Sequence, residues 1–296
     1  MTAAISANLV QDLQQVFGAD FMRHAYLAAT GVAAASGVIG YFLVLRNQLF
    51  TGDALSHVAF AGALAAAVLG ADPLIGVFAS TVLIAVAMGA LGGRARARDV
   101  VIGTVFAWIL GLGALLLSIY TSERSAGNGT IGVRTLFGSI FGVDLHVALV
   151  VAGVGAAVVL ILAAVGRPLL FASVDQEAAA ARGVPVRGLS LCFIALVAVT
   201  VAESVQAVGA LLVFGLLVTP AVTARAITTR PYAAMALSAG LALLAAWAGL
   251  FAAFYTALPP SFLIVAITTG AYAAALTGRR LRRRRQGFTH PWLLPG

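Results

Sequence analysis

Among ten acidic residues and four histidines in a chain of 296, Asp53 and His57 stand one helical turn apart in the apolar stretch "LFTGDALSHVAFAG". Positions i and i+4 share a face of an α-helix, so a carboxylate oxygen and an imidazole nitrogen are offered to one point. That pair suits a divalent transition ion such as Zn²⁺ or Mn²⁺ and suits Ca²⁺ or Mg²⁺ poorly, because those ions want oxygen alone. The same spacing permits an intrahelical Asp–His hydrogen bond that merely satisfies two polar groups near a helix end. Two ligands are few, but a site that must release its ion needs sparse coordination, and a closed tetrahedral cage would hold it. Glu203, in "VTVAESVQAVG", is a further candidate metal or pathway carboxylate, since ionisable residues inside a membrane are expensive and mark function by default. Its alternative reading, the favoured one, is a marker of the outer end of its span. His146 beside Asp144 reads as interfacial, and His24 and His290 receive no role.

These side chains need apolar helices to hold them. With 61% hydrophobic residues, 9% charged and a mean hydropathy of +1.04, the chain is an all-α polytopic membrane protein and not a soluble domain. Stretches of ~20 apolar residues fall at 25–45, 49–71, 73–92, 100–120, 145–165, 188–203, 205–224, 232–254 and 259–277. That makes eight or nine spans, the smaller count applying if 188–224 is partly re-entrant. The expected break between the sixth and seventh lies near Glu203 to Gln206, and Gly52 could interrupt the second span and shift the Asp53–His57 pair in depth.

All 18 basic residues are arginine. Arg46, Arg94/Arg96/Arg98, Arg167/Arg182/Arg187, Arg225/Arg230 and the tail Arg279, Arg280 and Arg282 to Arg285 fit one side, fifteen of the eighteen, which the positive-inside rule makes the cytoplasm. Nine spans then put the N-terminus outside. Residues 1–23 read as an outer or interfacial segment, 24–278 as the transmembrane unit and 279–296 as a basic tail facing anionic lipid. No signal-peptide order is evident at the start, so the first span is expected to direct insertion. A net charge of +8 without a basic domain or interleaved aromatics argues against nucleic acid. The missing lysine excludes ATP hydrolysis through a Walker A loop, and without an HExxH motif a metallohydrolase is disfavoured. Cys192, the single cysteine, can build neither an internal disulfide nor a cysteine metal cage and is read as a packing residue.

Between spans lies "LLFASVDQEAAAARGVPVRGL". Asp175 as a helix-start acid, four alanines and a closing glycine describe a short helix with defined ends, either a plain connector or a helix that docks into a partner's groove.

Three segments together resemble the permease subunits of bacterial ATP-binding-cassette importers for zinc, manganese and iron. "GDALSHVAFAG" resembles that family's early Gly-Asp…His motif, "SVDQEAAAARGVPV" its coupling helix, and "VQAVGALLVFGLLVTPAVTARA" its Val-Gly…Pro-Ala segment, with "LFGSIFG" before the middle span. The resemblance implies the importer-permease fold, a homodimer, two copies of a cytoplasmic ATPase subunit, an extracytoplasmic metal-binding protein and residence in the bacterial inner membrane. It makes Asp53 and His57 ligands along the translocation path of a transported ion, Zn²⁺ ahead of Mn²⁺, with no permanently bound cofactor. It assigns Val174, Asp175, Gln176, Glu177, Ala178, Ala179, Ala180, Ala181, Arg182, Gly183, Val184 and Pro185 to coupling with the ATPase. Glu203 departs from the family, where hydroxyl or small residues are common, and Arg134 stands where some relatives carry histidine. A secondary transporter or channel, with Asp53, His57 and Glu203 as a proton relay, is the competing class.

Overall fold

The computed structural model describes residues 9–91, 95–123, 135–136, 138–210, 213–256 and 258–287. Arg94, Arg124, Arg134, His290 and most of the 121–143 loop lie outside the described residues. Among the described residues, eleven α-helices and no strand occur: α1 Leu9–Gly18, α2 Asp20–Leu45, α3 Leu49–Val68, α4 Pro73–Leu91, α5 Ala95–Glu123, α6 Leu145–Val174, α7 Gln176–Ala181, α8 Val186–Val208, α9 Val213–Ile227, α10 Pro231–Tyr255 and α11 Pro260–Gly287. A 3-10 turn, Ile140–Gly142, precedes α6. Helices dominate because an apolar solvent leaves every backbone N–H and C=O to be satisfied within its own segment. Seven are long and apolar enough to cross a membrane, and Pro73–Gly89 and Val213–Ile227 are shorter apolar helices. Together they match the nine expected segments.

Two boundaries differ from expectation in ways that move candidate residues. α8 does not break at Glu203 to Gln206; it runs to Val208, and Gly209 with φ of 90° makes the turn. Polar residues do not end a helix whose neighbours satisfy them: the Ser204 hydroxyl donates to the Thr200 carbonyl at 2.7 Å and meets the Ser36 hydroxyl at 3.0 Å. Glu203 therefore lies inside the span and does not mark its end. α6 extends from Leu145 through Val174, so Val174 closes a long helix and does not open the coupling segment. Gly52 interrupts nothing, since α3 is continuous from Leu49 to Val68.

The bundle is built around α2. Of its apolar window 72% is buried, against 17% for α5 and for α11, so the latter two present themselves to lipid or to other chains. Association between apolar helices in lipid relies on close approach of small residues. At Gly40 an added Cβ would lie 1.8 Å from the Leu217 carbonyl oxygen of α9; no side chain fits there without moving backbone. Cys192 is exposed, not a packing residue: it points away from the bundle, while Phe193 and Leu196 take the inward positions.

Candidate functional site

The site is carried by α3, which is mostly closed off by its neighbours. Against α4 the backbones nearly touch: a Cβ added at Gly62 would meet the Ser80 hydroxyl oxygen at 2.0 Å and the Gly76 carbonyl oxygen at 2.5 Å. Ala54, Leu55, Ser56, Val58 and Ala59 are buried, whereas Asp53, His57 and Phe60 are half-buried. These three recur at helical spacing, so α3 keeps one strip open and puts both metal-capable side chains on it.

Neither the Asp53 carboxylate nor the His57 ring makes a hydrogen bond or ion pair among the described residues. The intrahelical Asp–His bond that the spacing allows is thus not formed, and both donor groups remain available. Local order comes from the backbone: the Ser56 hydroxyl donates to the Asp53 carbonyl at 2.7 Å. The His57 ring stands edge-on to Phe106 of α5, centroids 5.2 Å apart and planes at 80°. That contact holds the ring between α3 and α5.

Glu203 is in a different situation. It is fully buried on α8, and both carboxylate oxygens lack a hydrogen-bond partner among the described residues. Among the described residues no group of three or more His, Cys, Asp or Glu side chains could hold a metal. Asp53, His57 and Glu203 are therefore not assembled into one three-ligand site among the described residues.

A cavity of about 330 Å³ opens at the end of the bundle away from most of the arginines, lined in part by Ala63, Asp72, Val77, Thr135, Ser139 and Gln206. The Asp72 carboxylate accepts the Leu74 N–H at 2.9 Å and so begins α4. Asp72 falls between the second and third expected spans and Gln206 at the expected break between the sixth and seventh, and neither is a site candidate in the sequence. Both are single polar residues near span ends, and nothing in their spacing couples 72 to 206.

On the arginine-bearing side the short helix is present as expected in its core. The Asp175 carboxylate accepts the Ala178 N–H at 2.9 Å, Arg182 closes the helix and Gly183 has φ of 80°. Its alanines are not equivalent: Ala179 is fully buried beside Ala172 and Val186, while Ala180 and Ala181 are exposed.

Known proteins share this fold. The model of the family described as "ABC 3 transport family" matches residues 18–279. The chain belongs to the ABC 3 transport family. This family member is 33% identical over 270 residues to the "Manganese transport system membrane protein MntC" of Halalkalibacterium halodurans, covering 90% of this chain and 91% of that one. It is 31% identical over 216 residues to the "Chelated iron transport system membrane protein YfeD" of Yersinia pestis, covering 72% and 70%. Among solved structures it resembles "PsaBC from Streptococcus pneumoniae in complex with Fab", with a TM-score of 0.79, 26% identity and coverage of 90% and 95%. Its apolar helices and its relatives make this family member a multi-pass protein of the bacterial inner membrane.

Proposed function

We propose that this chain is the membrane-spanning permease subunit of an ATP-driven importer for a divalent transition metal, with Mn²⁺ as the ion. The carrying observation is the half-buried strip of α3, where Asp53 and His57 stand on one face and neither makes a side-chain hydrogen bond or ion pair among the described residues. Family membership and the manganese and iron names of the relatives support metal transport. Zinc, expected first from the wording of the motifs, draws no support from those names. Iron is the second reading, favoured by the Yersinia relative; an Asp–His pair serves Fe²⁺ by the same donor logic.

In this reading two copies of the chain pair with two ATPase subunits, and a binding protein delivers the ion on the outer side. Two ligands per chain and a half-open strip fit a path completed by a second copy. α7 contacts the ATPase through the exposed Glu177, Ala180 and Ala181, whereas Ala179 seats the helix on its own chain. Hydrolysis belongs to the partner, because this chain has no lysine for a Walker A loop.

The test is reconstitution of the chain with and without its ATPase and binding protein in liposomes. Uptake of ⁵⁴Mn²⁺ that requires ATP and the complete complex is expected. Uptake by the chain alone, without ATP, would establish the secondary-transporter class instead. Ala180→Glu is expected to leave assembly of the membrane dimer intact while lowering ATP-coupled uptake roughly tenfold, as loss of a docking contact does.

A further inference from the structure

Most arginines described on the cytoplasmic side behave as topology requires. Arg225, Arg230, Arg279 and Arg280 are exposed, as a charge that only marks a membrane side should be. Arg46 differs. It sits in the tight turn between α2 and α3, only half-exposed, and reaches sideways to α8. Its Nη2 donates to the Ser190 hydroxyl at 2.7 Å, and its guanidinium carbon lies 5.0 Å from the centroid of the Phe193 ring. Phe193 is itself buried and packs edge-on against Phe42 of α2, centroids 6.0 Å apart.

The turn that presents Arg46 is stiff. The Arg46 N–H donates to the Phe42 carbonyl and the Gln48 N–H to the Leu43 carbonyl, each at 2.9 Å, and Asn47 adopts φ of 54°. α3 starts immediately afterwards at Leu49, and Asp53 is four residues into it, ~6 Å along the helix. On the other side of the contact, Ser190 is one turn into α8, whose first residue, Val186, packs with Ala179 of α7 and Ala172 of α6. A set of contacts thus runs from the short cytoplasmic helix, through the start of α8, to the turn that joins α2 to the helix bearing the metal pair.

We propose that Arg46 is a positioning residue that clasps the turn leading into α3 to the start of α8, so that displacement of α7 by the ATPase is passed along α3 to Asp53 and His57. This rests on the permease reading above. A planar guanidinium suits the task because it can stack on a ring and donate to a hydroxyl together, which an ammonium does poorly.

The test uses the complete complex in liposomes, with Mn²⁺ uptake and ATP hydrolysis measured on the same preparation. In Arg46→Gln the ATP consumed per Mn²⁺ is expected to rise about tenfold, the scale of coupling carried by one contact in such networks. The Mn²⁺ concentration for half-maximal uptake should stay unchanged, since no ligand is touched. Arg46→Lys should recover part of the stoichiometry, and Ser190→Ala should raise it about twofold. Should Arg46→Gln fail to assemble, Ser190→Ala and Phe193→Leu carry the test by the same ratio. A wild-type ratio in the assembled variants would overturn the proposal, as would an equal loss of uptake and hydrolysis, which marks a merely structural residue. Asp53→Asn serves as the separate control: normal uptake in that variant would refute the permeation path whatever the Arg46 ratio shows.

Discussion

Asp53 and Glu203 are both carboxylates on membrane-spanning helices, yet their surroundings are opposite. Asp53 shares a half-buried strip of α3 with His57 and Phe60, and its carboxylate makes no hydrogen bond or ion pair among the described residues. Glu203 is sealed inside the bundle on α8 with both oxygens unpaired. An intramembrane acid draws attention by its cost alone, but only access and a second donor turn it into an ion site. Asp53 has both. Glu203 carries the energetic burden of a buried, unpaired polar group and belongs to no group of three or more metal-capable side chains among the described residues.

That contrast can be broken by substitution. Asp53→Asn or His57→Ala is expected to lower ATP-driven Mn²⁺ uptake by at least ~100-fold, beyond the loss typical of supporting residues around a metal, with complex assembly unchanged on gel filtration. Phe106→Ala removes the ring that fixes His57. It should raise the half-saturating Mn²⁺ concentration by ~2–10-fold, the worth of one aromatic contact, while the maximal rate holds. Glu203→Met should have the smallest transport effect, uptake within about twofold, and should raise stability by about 1–3 kcal/mol as the unpaired carboxyl is removed, read as a higher melting temperature of the complex. A large uptake defect in Glu203→Met with normal assembly would erase the distinction between the two acids.

Much of this was legible in the sequence. Apolar run length gave nine helices because the length of a span is set by the bilayer. Asp175 and Gly183 gave the ends of α7 because cap chemistry is local. The shared face of Asp53 and His57 followed from the helical period alone. What escaped depends on which neighbour stands opposite. Glu203, Ser204 and Gln206 read as a break because three polar residues fall within four positions, yet Ser36, 168 residues away, satisfies Ser204 across the bundle. Ala178 to Ala181 look alike in sequence, and only the packing of Ala172 and Val186 singles out Ala179. Arg46 looked like an orientation marker, since nothing in its own segment announces Ser190 or Phe193. Cys192 was assigned to packing by residue type, but the face of α8 it occupies has no helix against it.

The open α3 strip as the ion's binding place can be examined most directly by pulsed electron paramagnetic resonance on Mn²⁺ bound to the purified complex. Modulation from a directly bound imidazole ¹⁴N is expected in the wild-type complex and lost in His57→Ala, with Glu203→Met indistinguishable from wild type. A wild-type spectrum without nitrogen coordination, or a nitrogen signal that survives His57→Ala, would contradict the assignment.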